Sequence, residues 1–570
     1  MHTVNRATRT AKWSIRTRFL NAWWLNLLIV LSAAHPAVAG PVPERIDLPG
    51  PFPYGLAQTG SKLWCVDFET GDLYCVDPVA GAVQRTCRLP LRSPAGLCAC
   101  GSQLFAVTES GIHRIDPCTG RCCRAVTFKL PAPTGLATDG RHFYAADRRL
   151  QAVTVFDART GKQVRRFATP GRAPRGMTYH DGSLWLVDSS DRAVYRLDPC
   201  DGHVQAAFVS PEGEPRGVEC VDGRWWFSVR NGGRLVSTRV EQLGPEVPGN
   251  AMRSNPLHVR VHYTHQLENH SPKPIEDVEI CLAVPPETPR QHIEHLEFAP
   301  APDEIRSDRF GQKVAVFRFP KLEPEQKAEV GWTVTARLWA IRYTPDATCL
   351  APPKHAPSEI VRTFTQDAAV LGLDLPEIKK AAAAAAKNAE NSLALVASIR
   401  DYVMQRVHYV RDGRWDPAVE VLKRGEGSCS EYSYAFTALA RSLGLPVRFV
   451  GSTAYRPPKN DAAEDKSEAT AGRYEDRVFH RWVEVYLPPY GWLPVDANRD
   501  DRDEPPFPRR YFLALSENLL VLSKTNWGDE ENLGANYHSC HRWKPGENDR
   551  SECRVKSRHA AVWQRLPDDE

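Results

Sequence analysis

The sequence has almost no excess charge of either sign. Its 570 residues include 73 lysines and arginines against 69 aspartates and glutamates, a formal net charge of +4. Five of the basic residues lie among the first 39 positions, which hold no acidic residue, so the rest of the chain has 68 basic and 69 acidic residues and a net charge of −1. Proteins that bind nucleic acid through its phosphates need a basic surface. We therefore expect no nucleic-acid partner.

Long apolar runs are also scarce, and the one present lies near the N-terminus. A basic stretch containing Arg6 and Arg18 precedes the apolar residues 19–34, and the small residues Ala37-Val38-Ala39 precede Gly40. This order is typical of a signal peptide cleaved after Ala39. The run is short for a membrane span, although an uncleaved anchor is the alternative. We expect a secreted or periplasmic protein with no membrane span after cleavage.

Metal-binding patterns are missing as well. No C-x-x-C pair of the zinc type is repeated. The segment from Asp496 begins like an EF-hand loop, but its sixth position is Asp501 where glycine is needed, and its twelfth is Phe507 where glutamate is needed. We expect no metal and no cofactor.

What the sequence does have is a repeat of about forty residues between positions 44 and 240. A Pro-x-Gly motif followed by an apolar residue recurs every 39 to 41 residues, at Pro53-Tyr54-Gly55-Leu56, Pro94-Ala95-Gly96-Leu97, Pro133-Thr134-Gly135-Leu136, Pro174-Arg175-Gly176-Met177 and Pro215-Arg216-Gly217-Val218. Each repeat contains about four short strands, the pattern of a β-propeller blade. The last repeat lacks its outer strand and a spare strand precedes the first, so we predict a five-bladed ring over residues 40–243 that the N-terminal strand closes.

The repeats resemble propellers of the NHL and YVTN type. That resemblance implies a platform for a polymer or protein partner; a purely structural role is the alternative. After the propeller, strands that alternate in period two predict a β-sandwich over residues 250–345. A Pro-rich linker over 346–376 and an α+β domain over 377–545 follow, and residues 546–570 are assigned to a C-terminal tail. The predicted fold class is therefore multidomain: an all-β propeller, a β-sandwich and an α+β core.

The α+β domain contains a cysteine at the start of a predicted helix. Ser428 is a suitable N-cap, and Tyr432, Phe436 and Leu439 are among the apolar residues spaced three and four apart beyond Cys429. The positive end of the helix dipole favours a thiolate over a thiol, and the thiolate is the nucleophile. Taken alone, the same pattern also fits a buried structural cysteine.

A predicted β-hairpin supplies the other parts of a catalytic site. His480 opens one strand, the turn Pro488-Pro489-Tyr490-Gly491 follows, and the second strand runs to Asp496. Folding about this turn places Asp496 nearly opposite Trp482, within side-chain reach of His480. A thiol, an imidazole and a carboxylate are the nucleophile, base and orienting group of a covalent acyl-transfer site. Glu484 is the rival for the orienting role, which we rank lower because it lies about 13 Å along the strand from His480.

The sequences GSCSEYS and HRWVEVYLPPYGWLPVDAN closely resemble the transglutaminase-like superfamily of papain-type folds. The resemblance spans about residues 390–515 and implies that Cys429 is the nucleophile, His480 the base and Asp496 the orienting acid. It also implies a peptidase, amidase or cross-linking acyltransferase that acts on a protein or peptide substrate through a thioester. The triad residues do not distinguish hydrolysis from transfer. A non-catalytic envelope protein that binds through its propeller is the alternative.

Three smaller expectations concern the remaining cysteines and aromatic residues. The chain has 15 cysteines, so setting Cys429 aside leaves 14 that could pair in an exported protein. Cys540 with Cys553 is a plausible local bridge. Tyr409 and Trp415, shortly before the nucleophile, are interpreted as core residues in preference to lining the acyl site.

Overall fold

The computed structural model describes residues 44–230, 232–239, 250–346, 355–456, 473–501, 508–526, 533 and 536–567. The predicted signal peptide and Cys349 lie outside these ranges. Within them, no helix is long and apolar enough to cross a membrane.

The first part of the described chain is a ring of four-stranded antiparallel sheets. Its strands are β1 (Arg45–Asp47), β2 (Pro53–Thr59), β3 (Lys62–Asp67), β4 (Asp72–Asp77), β5 (Ala82–Arg88), β6 (Leu97–Cys100), β7 (Gln103–Thr108), β8 (Gly111–Ile115), β9 (Cys122–Thr127), β10 (Pro133–Thr138), β11 (His142–Asp147), β12 (Ala152–Asp157), β13 (Gln163–Ala168), β14 (Pro174–His180), β15 (Ser183–Asp188), β16 (Ala193–Leu197), β17 (Val204–Val209), β18 (Pro215–Val221), β19 (Arg224–Val229) and β20 (Arg234–Arg239). Four blades are consecutive, from β2–β5 to β14–β17. In the fifth, β1 lies beside β20 with Ile46 opposite Leu235. The predicted five-bladed propeller and its closure by the N-terminal strand are confirmed.

The glycines of the Pro-x-Gly motifs set how closely the blades approach the axis. A Cβ on Gly55 would lie 2.4 Å from the backbone nitrogen of Leu97 in the next blade. The same contact closes the ring, because a Cβ on Gly217 in the fifth blade would lie 2.1 Å from the carbonyl oxygen of Tyr54 in the first. No side chain fits at these separations, so the motif recurs because the inner strands touch through their backbones.

The sandwich follows the propeller. Its first strands are β21 (Ala251–Asn269), β22 (Ile275–Ala283), β23 (Gln291–Ala299), β24 (Glu304–Ser307), β25 (Lys313–Leu322) and β26 (Lys327–Tyr343). One sheet pairs β23, β26 and β21, and the other pairs β24, β25 and β22. The apolar faces of both sheets share one core, in which Val261, Ile280 and Trp332 are fully buried or nearly so.

The α+β core contains five helices among the described residues. Its elements are α1 (Ser358–Phe364), α2 (Pro376–Ala386), α3 (Ser392–Met404), β27 (His408–Tyr409), α4 (Ala418–Arg424), β28 (Glu426–Gly427), α5 (Cys429–Ser442), β29 (Val447–Ala454), β30 (Arg473–Asp476), β31 (His480–Leu487), β32 (Gly491–Val495), β33 (Ala514–Leu515) and β34 (Leu519–Thr525). Helix α1 lies in the segment interpreted as a linker. Helix α5 packs on the sheet β32-β31-β29-β34 and against α2, α3 and α4. It is therefore buried on all sides, and not only on the predicted apolar face.

The last two strands of the chain belong to the sandwich. They are β35 (Ser539–Lys544) and β36 (Val555–Arg565). Strand β36 lies between β21 and β30, and β35 lies beside β22. The segment interpreted as a C-terminal tail thus contains a central strand, in which Trp563 is fully buried.

Candidate active site

Cys429 is the first residue of α5, as the helix-start pattern predicts. The Glu431 carboxylate accepts hydrogen bonds from the Ser428 N–H at 2.7 Å and from the Arg424 guanidinium at 2.9 Å. Glu431 is itself fully buried. This carboxylate therefore fixes the turn that enters the helix, and with it the position of the thiol.

The hairpin of β31 and β32 has the register that the sequence predicts. Val483 lies opposite Val495, so the next position along brings Asp496 beside Trp482. His480 Nε2 lies 2.7 Å from Asp496 Oδ2. Only 4 % of His480 and 1 % of Asp496 are exposed, so water does not screen this pair.

The Cys429 thiol hydrogen-bonds the His480 imidazole. Because Nε2 bonds Asp496, Nδ1 is the ring nitrogen left for the sulfur. Burial disfavours the thiolate, but His480 and the Arg481 backbone N–H outweigh it and lower the pKa of Cys429. Burial likewise disfavours the imidazolium, but Asp496 and Cys429 outweigh it and raise the pKa of His480 to about 9. The two shifts together favour a thiolate–imidazolium ion pair near neutral pH.

Arg481 is a residue of the site that the sequence analysis missed. Its backbone N–H donates to the Cys429 sulfur, and the charge of its side chain also lowers the pKa of Cys429. The guanidinium is buried, donates to the Tyr434 hydroxyl at 2.7 Å and lies 4.3 Å from the centre of the Tyr537 ring. The only signal in the sequence was an arginine inside an otherwise apolar strand, next to the predicted base.

Residues 379–497 match the sequence profile of the transglutaminase-like superfamily. This region is a transglutaminase-like domain. No curated protein sequence matches the chain. The similar solved structures include a candidate cysteine protease from Cytophaga hutchinsonii, with 18% identity and a TM-score of 0.39 over 56% of this chain and 94% of that one. They also include virginiamycin B lyase from Staphylococcus aureus, with 18% identity and a TM-score of 0.24 over 34% of this chain and 68% of that one. BamB from Moraxella catarrhalis has 17% identity and a TM-score of 0.22 over 32% of this chain and 57% of that one. At these identities and TM-scores the likeness assigns neither activity nor substrate.

Two aromatic side chains beside the thiol of the transglutaminase-like domain are open to solvent. Tyr409 is 44 % exposed and Trp415 is 42 % exposed, so their interpretation as core residues is wrong. Burial of the hydroxyl and the charge of Cys429 raise the pKa of Tyr409, and the Trp415 ring lies 5.5 Å from the Arg481 guanidinium. Tyr409 is therefore close enough to Cys429 to be affected by its charge, and Trp415 lies beside Arg481, the residue that follows the predicted base.

Glu484, the rival for the orienting role, is bound to residues other than His480. Glu484 forms ion pairs with Arg448 at 2.5 Å and Lys524 at 3.8 Å. Its carboxylate therefore balances cations on the sheet, and Asp496 is the carboxylate that reaches His480.

The start of the helix presents a backbone N–H without an intrahelical acceptor. Cys429 is the first helical residue, so its N–H has no partner within the helix, and within the described ranges no other backbone oxygen accepts from it. This N–H is the donor available to the oxygen of a carbonyl that the thiolate attacks.

One cluster among the described residues has the donor set of a cation site. Glu268, His270 and Glu325 hold their ligand atoms within 4.8 Å of one another on the sandwich surface, where His270 Nδ1 lies 3.1 Å from Glu325. These contacts are those of a surface ion pair. In the segment that resembles an EF-hand, Asp500 is bound to Arg400 at 2.9 Å.

The cysteine pairing expected from sequence differs from the arrangement in the structure. Cys540 on β35 lies directly opposite Cys281 on β22, and the two thiols hydrogen-bond each other. The Cys553 thiol donates to the Asp549 carbonyl. The sandwich register, which pairs strands far apart in sequence, therefore selects Cys281 and not Cys553 as the neighbour of Cys540.

Proposed function

We propose that the protein is an exported cysteine enzyme that acts on peptide or carboxamide bonds through a thioester. The observation that carries the proposal is the buried chain of contacts from the Cys429 thiol through His480 to Asp496. A nucleophile, a base and a group that orients the base form the minimum set for covalent acyl transfer.

The chemistry follows from the ion pair. The Cys429 thiolate attacks the carbonyl carbon, a C–S bond forms, and the Cys429 N–H donates to the developing oxyanion. As the tetrahedral intermediate collapses, the C–N bond breaks and the His480 imidazolium gives its proton to the leaving amine. Neutral His480 then takes a proton from the incoming water or amine, which attacks the thioester and releases Cys429 as the thiolate.

Asp496 supports both steps. Its carboxylate accepts from Nε2, which holds the ring in the tautomer and orientation that present Nδ1 to the sulfur. It also stabilises the imidazolium, so His480 stays charged until the pH approaches its pKa of about 9. Cys429 remains a thiolate at a lower pH than an ordinary cysteine, because its pKa is lowered.

The test measures both fates of the thioester. The full chain is incubated with casein and a fluorescent primary amine; gel electrophoresis reports proteolysis, and fluorescence of the casein band reports amine incorporation. We expect one of the two signals, and we expect Cys429→Ala to lack it. Proteolysis would indicate peptidase or amidase activity, and amine incorporation would indicate cross-linking. Neither signal, together with slow alkylation of Cys429 by iodoacetamide, would favour the non-catalytic binding protein.

Export is part of the proposal and has its own test. We expect the mature protein to start at Gly40, which N-terminal sequencing measures. In an oxidising compartment we expect the facing Cys281 and Cys540 thiols to form a disulfide by exchange, and peptide mapping without reductant detects that bridge. A cytoplasmic protein that keeps Met1 would contradict the proposed location while leaving the chemistry of Cys429 intact.

A further inference from the structure

The second residue of four of the five Pro-x-Gly motifs lines a cavity at one mouth of the propeller axis. In chain order these residues are Tyr54, Thr134, Arg175 and Arg216, whereas Ala95 of the second blade is buried. The glycines that follow them bring neighbouring inner strands into direct backbone contact, as Gly217 does against Tyr54. The mouth forms a cup, whose chemistry depends on the motif position before each glycine and on the loop residues beside it.

The walls of the cup differ on its two sides. Its volume is about 610 Å³, within the range of sites that hold small ligands. The first blade contributes Phe52, Tyr54 and Phe68, of which Phe52 is 46 % exposed and Phe68 is 37 % exposed. The third to fifth blades contribute arginines, among them Arg175 and Arg216. An apolar aromatic wall thus faces a wall of guanidinium groups.

Arg175 is the most unusual of these arginines because it is buried without a carboxylate. It is 9 % exposed, and it donates through Nε to the Ser189 hydroxyl at 2.9 Å and through Nη1 to the Tyr54 hydroxyl at 3.0 Å. No acidic side chain in the described ranges lies within ion-pair distance of it. The charge of Arg175 does act on Glu214 through space, but that carboxylate is already ion-paired with Arg216 and Arg230. A buried guanidinium without an ion-pair partner of its own is poorly compensated and favours an anion beside it.

Arg216 brings a second positive charge to the same place. Its guanidinium carbon lies 5.8 Å from the centre of the Tyr54 ring, whose hydroxyl also receives the Arg175 hydrogen bond. Burial and the charge of Arg175 lower the pKa of Arg216, as expected for two cations in one cavity. Planar guanidinium groups bind carboxylates and phosphates through paired hydrogen bonds.

The charge of the whole mouth selects among anions. Arg148, Arg175, Arg216 and Arg230 line it together with Glu69 and Glu109. Glu214 pairs with Arg216 at 3.2 Å and with Arg230 at 3.1 Å. Among these side chains, four guanidinium groups against three carboxylates leave one positive charge. The buried carboxylates of Asp67 and Asp147 are bound instead by the backbone N–H groups of the lining residues Phe52 and Ala132. A single carboxylate neutralises that charge, whereas a phosphate dianion would leave an excess negative charge.

We propose that the propeller mouth binds the C-terminal carboxylate of a peptide that ends in an apolar residue. The carboxylate lies between Arg175 and Arg216, and the apolar side chain packs on Phe52 and Phe68. The cavity is much larger than an isolated aryl acid needs, which favours the end of a peptide over a small aromatic acid. The inference does not rest on the chemistry proposed for Cys429.

Titration calorimetry of the full chain tests the ligand class. The Cys429→Ala protein is used throughout, so that no probe is consumed. The probes are N-acetyl-Leu-Phe with a free carboxylate, its C-terminal amide, phenylacetate and inorganic phosphate. We expect the free acid to bind at one site per chain and the other three to bind at least tenfold more weakly, since a charge-assisted hydrogen-bond pair is lost with the amide.

Matched variants locate the binding. Arg175→Gln and Arg216→Gln should each weaken binding of the free acid at least tenfold. Arg224→Gln is the control, because Arg224 Nε donates to Ser237 Oγ at 2.7 Å just as Arg175 Nε donates to Ser189 Oγ. Arg224 opens the strand β19, whose other end leads to the mouth, so it lies on the opposite face. The Arg224→Gln protein should therefore bind the free acid as tightly as the parent protein does.

A variant at an exposed side chain keeps the test decisive if Arg175→Gln fails to fold. Phe68→Ala changes an exposed side chain and should weaken binding about three- to tenfold. Equal affinity for the acid and its amide, tighter binding of phosphate or phenylacetate than of the dipeptide, or unchanged binding in Arg216→Gln and Phe68→Ala would each overturn the proposal. Absence of binding by N-acetyl-Leu-Phe would overturn it as well.

Discussion

The propeller and the sandwich with its α+β core are assembled from the chain in opposite ways. Four of the five blades consist of four consecutive strands, and the ring needs one long-range pairing, between β1 and β20. In the sandwich, β21 pairs with β36, so that Val259 lies opposite Arg565. Nearly the whole second half of the chain separates these two residues in sequence. Local repeats can fold in any order, whereas this sheet is complete only when the last strand is present.

The sandwich and the core are also joined by buried hydrogen bonds. Gln291 on β23 accepts from the Val521 N–H at 2.7 Å, and Arg290 donates to the Leu519 carbonyl at 2.7 Å. Trp563 on the last strand donates to Thr453 Oγ1 at 3.0 Å. The transglutaminase-like domain is thus structurally continuous with strands on both sides of it.

The largest effect that follows is the loss of the sandwich and core when the last strand is removed. A chain that ends at residue 553 lacks β36, so β21 and β30 lose their shared neighbour. We expect it to lose activity and the sharp thermal transition of the C-terminal half, measured by circular dichroism. A chain that ends at Pro567 retains every described strand and should behave as the full chain does.

The propeller, in contrast, should fold without the rest of the chain. A fragment of residues 40–245 contains all five blades and the closing strand, and it should fold alone as an all-β protein with a cooperative thermal transition. An insoluble fragment, together with a truncated chain that stays active, would reverse the contrast between the two regions.

The same difference explains what could be predicted from the sequence. Four of the blades, the helix that begins at Cys429 and the hairpin that carries His480 and Asp496 each depend on neighbours within about forty residues, and the sequence pattern predicts them. The fifth blade pairs β1 with β20, and the strand count of the repeats predicts that pairing. The placement of β36, the contact of Cys281 with Cys540 and the enclosure of Arg481 by aromatic rings depend on segments far apart in the chain. No local pattern encodes such a pairing, so a strand was interpreted as a tail.

The next largest effects concern the triad, because its contacts join two elements of the core. Cys429→Ala should abolish turnover, since no other group forms the thioester. Asp496→Asn should lower kcat by about two to four orders of magnitude, because the imidazolium loses its carboxylate and the ring loses the favoured tautomer. Steady-state kinetics on the substrate found in the casein assay measure both variants.

Glu484→Gln is the matched control for the carboxylate. It removes a buried acid from the same hairpin, but one that pairs with Arg448 and Lys524. We expect kcat within about tenfold of the parent and a lower Tm, since two cations lose their partner. A fully active Asp496→Asn enzyme beside an inactive Glu484→Gln enzyme would transfer the orienting role to Glu484.

Acid should lower the stability of the sandwich more than that of the propeller, because a cluster of histidines lies in the sandwich. His265, His538, His541 and His559 lie together there, with His538 and His559 rings 4.3 Å apart. Burial and the neighbouring histidines lower the pKa of His265 to about 3, and the pKa of each of the other three is also lowered. These imidazoles stay neutral in the folded protein at pH values where the unfolded chain binds protons.

The sign of the effect follows from that difference in proton binding. The stabilisation is fully present above the ordinary histidine pKa of about 6.5 and is lost as the pH falls toward 3. Between pH 6.5 and 4.5, His265 alone should lower the free energy of unfolding by about 2 kcal/mol. Urea denaturation of the full chain measures this, and His265→Asn should make the sandwich transition less sensitive to pH. A sandwich whose midpoint is the same at both pH values would contradict it.

The smallest effect tests how the propeller ring is held together. Gly217→Ala places a Cβ 2.1 Å from the Tyr54 carbonyl oxygen and 2.7 Å from Ser228 Oγ. The fifth blade must then move away from the first, which should cost about 1–3 kcal/mol.

Gly182→Ala is the control: it lies in a turn at φ +75° with no heavy atom within 4 Å of the added Cβ, so it carries only the backbone cost of about 1 kcal/mol. Denaturation of fragment 40–245 should rank Gly217→Ala below Gly182→Ala in stability, while in the full chain the sandwich transition stays unchanged in both. Equal losses would mean that the closing strand β1, and not backbone contact at the axis, determines the stability of the ring.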